Sequence, residues 1–185
     1  MSANTSQAGT LDTRPSGPDV LVLVLIYCQD RLLLLRRGYE PYAGKWAPPG
    51  GFVECGESLE RAAVREVWEE TRLRLDTTQL LPKGVMSVTH INQVHTVFVA
   101  YLDAPQAVEP VPPESLEVRW FSLAECMAED AGFWEPGANV DYAQLFGTLR
   151  ARRGDFFQWN DDYQRIIRGD GQIEYVWRRE DASRR

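Results

Sequence analysis

Three glutamates with helical spacing are the residues of this chain most able to do chemistry. Glu66, Glu69 and Glu70 lie in the segment SLERAAVREVWEETRL at 58–73, which is rich in helix formers and begins with Ser58, a suitable N-cap. At about 100° per residue, Glu66 and Glu70 fall in the middle of the apolar side, with Glu69 at its edge. Crowded carboxylates beside a core repel one another unless a cation compensates them. Because hard divalent ions take carboxylate oxygens, this spacing indicates a metal site.

A second interpretation of the same helix needs no metal. Arg61 and Arg65 lie on the opposite side of the helix, together with Trp68 and Arg72. The two arginines could pair with the glutamates and form a solvated acidic patch. For an isolated helix, this interpretation is as well supported as the metal site.

The residues upstream of the helix favour the metal. The chain reads GGFVECGESLERAAVREVWEETRL through this region, which resembles the signature of the Nudix hydrolases, G-x5-E-x7-R-E-U-x-E-E-x-G-U, where U is bulky and aliphatic. Gly51, Glu57, the residues 65–70 and Leu73 match in register, while Arg72 stands where the family has glycine. That glycine relieves a left-handed backbone at the helix end, so the departure concerns the following loop more than the metal site.

The resemblance implies a role for each matched residue. Glu66 and Glu70 would be the principal ligands of Mg²⁺ or Mn²⁺, and Glu69 a third ligand or the catalytic base. Gly50 would let a main-chain carbonyl approach the same cation. All three glutamates are therefore predicted to be catalytic.

Further charged residues are candidates for structural or substrate contacts. The resemblance implies that Glu57 and Arg65 form an ion pair that ties the loop to the helix. Candidate substrate contacts are Arg36, Lys45, Glu54, Glu114 and Glu117. The last two lie in an acidic, proline-rich loop at 103–117, from which family members often take a further metal ligand or base. A solvated loop explains these two acids equally well.

The activity implied by the resemblance is hydrolysis of a diphosphate that links a nucleoside to another group. The phosphorus is shielded by its own negative oxygens, so the reaction needs charge neutralisation and an activated water. The expected substrate is a small nucleotide, either similar to ADP-ribose or a nucleoside triphosphate. The alternative is a Nudix-fold module that senses a nucleotide without cleaving it, although loss of the acids, the mark of such a module, is not seen here.

The remaining elements predict an α/β protein with the Nudix fold, an α/β/α sandwich around a mixed sheet. The apolar run at 20–27 reads as a buried strand in a hairpin with the run after 31, and the segment 84–102 reads as two strands. We expect a disordered tail over 1–18, the Nudix domain over 19–130, and a C-terminal extension over 131–185. That extension is predicted to hold a helix at 140–152 and a hairpin turning at RGDG, packed on the domain or on a dimer partner.

Composition excludes several function classes. The 185 residues carry a formal charge of −7, which disfavours a general nucleic-acid binder, since phosphate neutralisation needs Lys and Arg. The N-terminal residues lack a signal peptide, and no apolar run is long enough to span a bilayer. Cys28, Cys55 and Cys126 form no paired set, which is typical of reduced thiols. We therefore expect a cytoplasmic protein with no membrane or nucleic-acid partner, and the resemblance implies a homodimer.

Overall fold

The structure is a computed structural model, and it describes residues 17–40, 42–128, 142–152, 155–159, 163–169 and 171–177. The described residues form ten strands and three α-helices, in the order β1 (Asp19–Cys28), β2 (Arg31–Arg37), β3 (Trp46–Ala47), β4 (Gly50–Phe52), α1 (Leu59–Thr71), β5 (Leu81–Val88), β6 (Gln93–Leu102), β7 (Ser115–Ser122), α2 (Leu123–Ala128), α3 (Tyr142–Arg150), β8 (Phe156–Trp159), β9 (Tyr163–Ile167) and β10 (Ile173–Trp177).

The strands form one mixed sheet with the order β10-β9-β8-β5-β6-β1-β2-β3. β4 pairs with the first half of β1, and β7 pairs with β2. β1 runs parallel to β6 and β5 runs parallel to β8, while the other pairs are antiparallel. The predicted hairpin of β1 and β2 and the predicted strands β5 and β6 are confirmed.

Helices cover both faces of the sheet, because the apolar residues of β1 are buried on both sides. Val22, Val24 and Ile26 pack with residues of α1 in one core cluster. Leu23 and Leu25 point the other way and pack with residues of α2 and α3. This alternation follows from the period of two along a strand. The α/β/α architecture is therefore confirmed.

Helix α1 begins where the sequence predicts. The Ser58 side chain accepts a hydrogen bond from the Arg61 N–H at 3.3 Å, and the helix ends at Thr71. Arg72 follows in the left-handed conformation with φ 58°, in the place where the Nudix signature has glycine. Glu66 and Glu70 lie toward the sheet as expected, and Val67, which the helical projection did not place in the core, is fully buried.

The C-terminal extension adds a helix and three strands to this core. Phe146 and Leu149 of α3 are fully buried in the cluster beneath β1. The predicted hairpin is formed by β9 and β10, and the sequence did not predict β8, which joins this hairpin to β5. The predicted tail lies almost entirely outside the described residues, as does the start of the predicted helix at 140. In the described part of the chain, no helix is long and apolar enough to cross a membrane.

Candidate metal and catalytic site

Two adjacent glycines let the carboxylates of α1 approach the sheet. A Cβ at residue 51 would lie 2.4 Å from the Glu66 carboxylate, so any side chain there would displace this carboxylate. A Cβ at residue 50 would lie 2.1 Å from the Val22 carbonyl oxygen of β1. The Gly50 N–H donates to a carboxylate oxygen of Glu70 at 2.8 Å. Gly51 is therefore required by close packing against Glu66, and Gly50 by close packing against the backbone of β1.

Arg65 is the centre of the ion-pair network at this site. Its guanidinium donates to both oxygens of Glu57, at 2.7 and 3.2 Å, and to the Phe52 carbonyl at 3.0 Å. It also donates to Glu66 at 2.8 Å and to Glu69 at 3.0 Å. The pair that the resemblance implies, Glu57 with Arg65, is thus in contact. Arg65 was expected on the helix side away from the carboxylates, but it reaches round to two of them.

Glu70 carries the most strongly perturbed carboxyl at the site. Its residue exposure is 9%, and burial raises its pKa to about 8. The Gly50 N–H and the charge of Arg37 lower this pKa, whereas the charges of Glu66 and Glu114 raise it further. The hydrogen bonds of Arg65 described above do not reach Glu70. Glu70 is therefore the carboxyl that would gain most from an added cation.

Glu66 shares this excess of negative charge. Burial raises its pKa, Arg65 opposes that rise, and the charges of Glu69 and Glu114 add to it. The loop residue Glu114 therefore lies close enough to interact with both Glu66 and Glu70. Of the two loop acids suggested by the sequence, Glu114 is the one that lies near the helix carboxylates.

The other candidates for substrate contacts lie elsewhere. Leu32 and Leu34 of β2 pack on the α3 side of the sheet, so Arg36, which has the same parity, faces away from α1. Glu117 lies directly opposite Arg36 in the β2–β7 register. Arg36 donates to the Gly44 carbonyl at 3.3 Å. The structure thus does not bring Arg36 and Glu117 to the carboxylates, and their contact with substrate stays a prediction.

Lys45 and Glu54 are exposed at the edges of the site. The Glu54 N–H donates to Glu57 at 2.7 Å, which helps fix the loop before α1. Substrate contacts from Lys45 and Glu54 also stay predictions. His95 is fully buried, with its Nε2 2.8 Å from the Gln93 amide oxygen, while His90 is exposed.

Sequence reasoning missed Arg37. It follows Arg36 in β2 and has the parity of Leu33, which packs on the α1 side. Its positive charge lowers the pKa of Glu70. The signal was present in the alternation of β2, since only one of two adjacent arginines can face the helix.

The donor chemistry of the site fits a hard divalent cation. Oxygen donors come from Glu66, Glu69 and Glu70, and the two buried ones carry charge that the protein only partly compensates. Within the described ranges, no group of three or more His, Cys, Asp or Glu side chains is arranged to hold a metal ion. Arg65 accounts for this, because it draws Glu66 and Glu69 to itself. Metal binding would require these two carboxylates to turn from Arg65 toward Glu70.

Comparisons with known proteins identify the family of this chain. The profile of the NUDIX domain matches residues 15–143. An ADP-ribose pyrophosphatase of Methanocaldococcus jannaschii is 50% identical over 70 residues, which cover 38% of this chain and 40% of that protein. An oxidized purine nucleoside triphosphate hydrolase of Danio rerio is 37% identical over 108 residues, covering 56% of this chain and 66% of that protein. The chain thus spans less than two thirds of either relative.

The fold comparison gives the same family. The crystal structure of a NUDIX hydrolase from Nitrosomonas europaea superposes with a TM-score of 0.66 at 30% identity, covering 80% of each chain. The profile match includes the whole signature and extends over most of the sheet. The chain therefore belongs to the Nudix hydrolase family.

Proposed function

We propose that this protein hydrolyses the diphosphate bond of an ADP-ribose-like nucleoside diphosphate, with Mg²⁺ or Mn²⁺ as its cofactor. The observation that carries the proposal is the buried Glu70 carboxyl, fixed by the Gly50 N–H and adjoined by Glu66. Such a concentration of anionic oxygens would repel a diphosphate unless a cation were shared between them. The match to an ADP-ribose pyrophosphatase, 50% identical over 70 residues, supports the choice of substrate.

Glu66 and Glu70 would hold the cation, with Glu69 as the third ligand. When bound, a divalent ion at this position neutralises diphosphate oxygens and lowers the pKa of a coordinated water. Gly50 and Gly51 keep the backbone of β4 close to these carboxylates, and Glu57 with Arg65 fixes the loop that precedes α1. The Gly50 N–H thereby holds Glu70 in place before substrate arrives, while Glu66 and Glu69 turn from Arg65 to the cation.

We assign removal of the proton from the attacking water to Glu114. The other candidate, Glu69, is the proposed third ligand of the cation, so its carboxylate is already engaged when a base takes the proton of the water. Glu114 is exposed and lies near both Glu66 and Glu70, so it can reach a water between them and the solvent. Its carboxylate would take the proton while the water oxygen bonds to phosphorus and the second phosphate leaves.

A substrate panel tests this proposal. Product release is measured with ADP-ribose, other nucleoside diphosphate sugars, NADH and nucleoside triphosphates, each with Mg²⁺, Mn²⁺ or a chelator. We expect AMP and a sugar phosphate from ADP-ribose, with turnover abolished by the chelator. Turnover that persists in chelator contradicts the role of the metal.

Nucleoside triphosphate hydrolysis is the second candidate, favoured by the Danio rerio relative. It predicts release of inorganic phosphate or pyrophosphate from the triphosphates, at a kcat/KM above that for ADP-ribose. Such a result would replace the substrate class and leave the assignment of Glu66 and Glu70 standing. Homodimerisation, which the resemblance implies, is tested separately by light scattering after size-exclusion chromatography.

A further inference from the structure

The loop 103–114, together with Ser115 at the start of β7, caps the C-terminal end of α1. The last four carbonyl groups of an α-helix have no partner within the helix. Here the Glu70 carbonyl accepts a hydrogen bond from the Ser115 hydroxyl at 2.6 Å, and the Thr71 carbonyl accepts one from the Glu109 N–H at 2.9 Å. Both carbonyls belong to the turn that carries Glu70. The helix end and the loop are therefore joined by two hydrogen bonds.

Ser115 uses its hydroxyl twice in this connection. While it donates to the Glu70 carbonyl, its oxygen accepts a hydrogen bond from the Val111 N–H at 2.7 Å. The Ser115 N–H donates back to the Val111 carbonyl at 3.1 Å, and the residue is fully buried. Loss of the hydroxyl would leave a buried carbonyl and an N–H without this partner, which is costly enough to release the loop from the helix.

On its other side, the loop rests on Gly38, directly after β2. The Gly38 N–H donates to the Glu114 carbonyl at 2.9 Å. A Cβ at residue 38 would lie 1.6 Å from the Pro113 carbonyl oxygen, so only glycine permits this approach. Glu114 is therefore fixed by its own carbonyl on one side and by its neighbour Ser115 on the other.

From these contacts we infer that Ser115 and Gly38 are positioning residues, which hold Glu114 beside Glu66 and Glu70 during hydrolysis. This inference rests on the proposed function, because it gives Glu114 the role of base. Neither residue touches the reacting atoms, so each acts through the place it gives to Glu114. A displacement of about 1 Å at a catalytic group can lower the rate roughly a hundredfold, which is the scale of effect expected here.

The experiment is a double-mutant cycle on the full chain with ADP-ribose and Mg²⁺. The four proteins are wild type, Ser115→Ala, Glu114→Gln and the double variant. We expect Ser115→Ala to lower kcat by roughly 10- to 100-fold while KM changes by less than about twofold. Glu114→Gln should then cost much less in the Ser115→Ala background than in wild type, because the base is already out of place.

Ser122→Ala is the matched control. Ser122 ends the strand that Ser115 begins, and its hydroxyl contacts Glu125 at 2.7 Å in the cap of α2, remote from the carboxylates. Ser122→Ala likewise removes a hydrogen-bonding hydroxyl of β7, so its thermal unfolding reports the cost of such a loss away from the site. We expect its kcat to stay within about twofold of wild type.

A second variant protects the test against failure of Ser115→Ala to fold. Gly38→Ala pushes on the Pro113 carbonyl from the opposite side, and it should show the same coupling with Glu114→Gln. Full additivity in both cycles, or an unchanged kcat in both single variants, overturns the inference while hydrolysis by wild type stands. Wild-type protein that releases no product from any member of the panel overturns the proposed function, and the inference falls with it.

Discussion

Acidic residues lie near both ends of β1, in contrasting surroundings. The far end is the one that Asp30 follows, and the near end is the one beside Glu66 and Glu70. At the far end, Asp30 binds Arg150 through both oxygens, at 2.6 and 2.7 Å, and accepts the Tyr27 hydroxyl at 2.6 Å. These contacts lower the pKa of Asp30, with Arg150 as the largest cause. At the near end, Arg65 is shared by three glutamates and does not reach Glu70.

At the far end an arginine balances the negative charge of the acid, whereas at the near end negative charge remains in excess. One acid meets one arginine at the far end, in an exposed pair that adds little to stability and leaves nothing for a ligand to compensate. At the near end, burial raises the pKa of Glu66 and brings that of Glu70 to about 8. Such a perturbation in a group of carboxyls is typical of functional sites, because the missing charge must come from a ligand.

The largest expected effect is on turnover. Glu66→Gln and Glu70→Gln keep the size of the side chain but remove the anion, so each should lower kcat/KM on the order of 10³-fold or more, since loss of metal assistance costs several kcal/mol. Asp30→Asn, the matched change at the far end, should leave kcat/KM within about twofold. The measurement is steady-state hydrolysis of ADP-ribose, with circular dichroism to confirm folding. Comparable losses at both ends would break the comparison.

The next effect is on stability, and the loss of stability should increase with the number of carboxylates that an arginine binds. Arg65→Met leaves Glu57, Glu66 and Glu69 without their shared cation, and we expect the free energy of unfolding to fall by roughly 2–3 kcal/mol. Arg150→Met removes one exposed pair and should lower the free energy of unfolding by clearly less, because solvent screens that pair. Urea unfolding in the presence of chelator gives both values. Equal costs would mean that the carboxylates at the near end are as fully paired with arginine as the one at the far end.

The affinity for metal should depend on pH at the near end. Because the folded protein holds the Glu70 proton up to a pKa of about 8, a cation must displace that proton to bind below this pH. The dissociation constant for Mn²⁺ should therefore fall up to about tenfold per unit as pH rises from 6 to 8, and then level off. Titration calorimetry at several pH values measures this slope.

The same shift fixes the sign of a stability change without metal. The folded state binds the Glu70 proton more tightly than the unfolded state, whose glutamate has an ordinary pKa of 4.5. Its contribution to stability is therefore fully present below pH 4.5 and is lost as pH rises toward 8. Glu70→Gln should remove this loss and also flatten the Mn²⁺ titration. A pH-independent affinity in the wild type would contradict the role of Glu70 as the protonated ligand.

Much of the near end was predictable, because its residues are close together in sequence. The spacing of Glu66, Glu69 and Glu70 on one helix, the cap at Ser58 and the glycines before it are local features that a helical projection and a signature reveal. The continuous apolar run of β1 likewise predicted a buried strand, and the structure shows that both of its faces are packed. Local patterns carry this information because helix and strand periods are fixed by backbone geometry.

The remaining features depend on contacts between residues distant in sequence. The hydrogen bonds from Ser115 and Glu109 to the end of α1 join residues about forty positions apart, and no periodic pattern in the sequence predicts them. The choice of Glu114 over Glu117 likewise depends on which loop residue lies near the helix, whereas the choice of Arg37 over Arg36 follows from the alternation of β2 once the side that packs on α1 is known. The strand β8 was missed because its four residues carry too short a pattern to be told from a loop.

The smallest expected effect concerns the one departure from the Nudix signature. Arg72 lies beside the near end, yet its guanidinium lies 5.3 Å from the centre of the Trp68 ring on the outer side of α1, where Arg74 also stacks at 4.0 Å. If Arg65 and Arg37 are the cations that matter to the carboxylates, Arg72→Gly should leave kcat and Mn²⁺ affinity within about twofold. It should raise the free energy of unfolding by less than about 1 kcal/mol, because relief of the left-handed backbone at φ 58° outweighs the lost ring contact. Urea unfolding and a Mn²⁺ titration measure these two quantities. A large change in metal affinity would show that Arg72 contributes to the charge balance of the site, as a third cation beside Arg65 and Arg37.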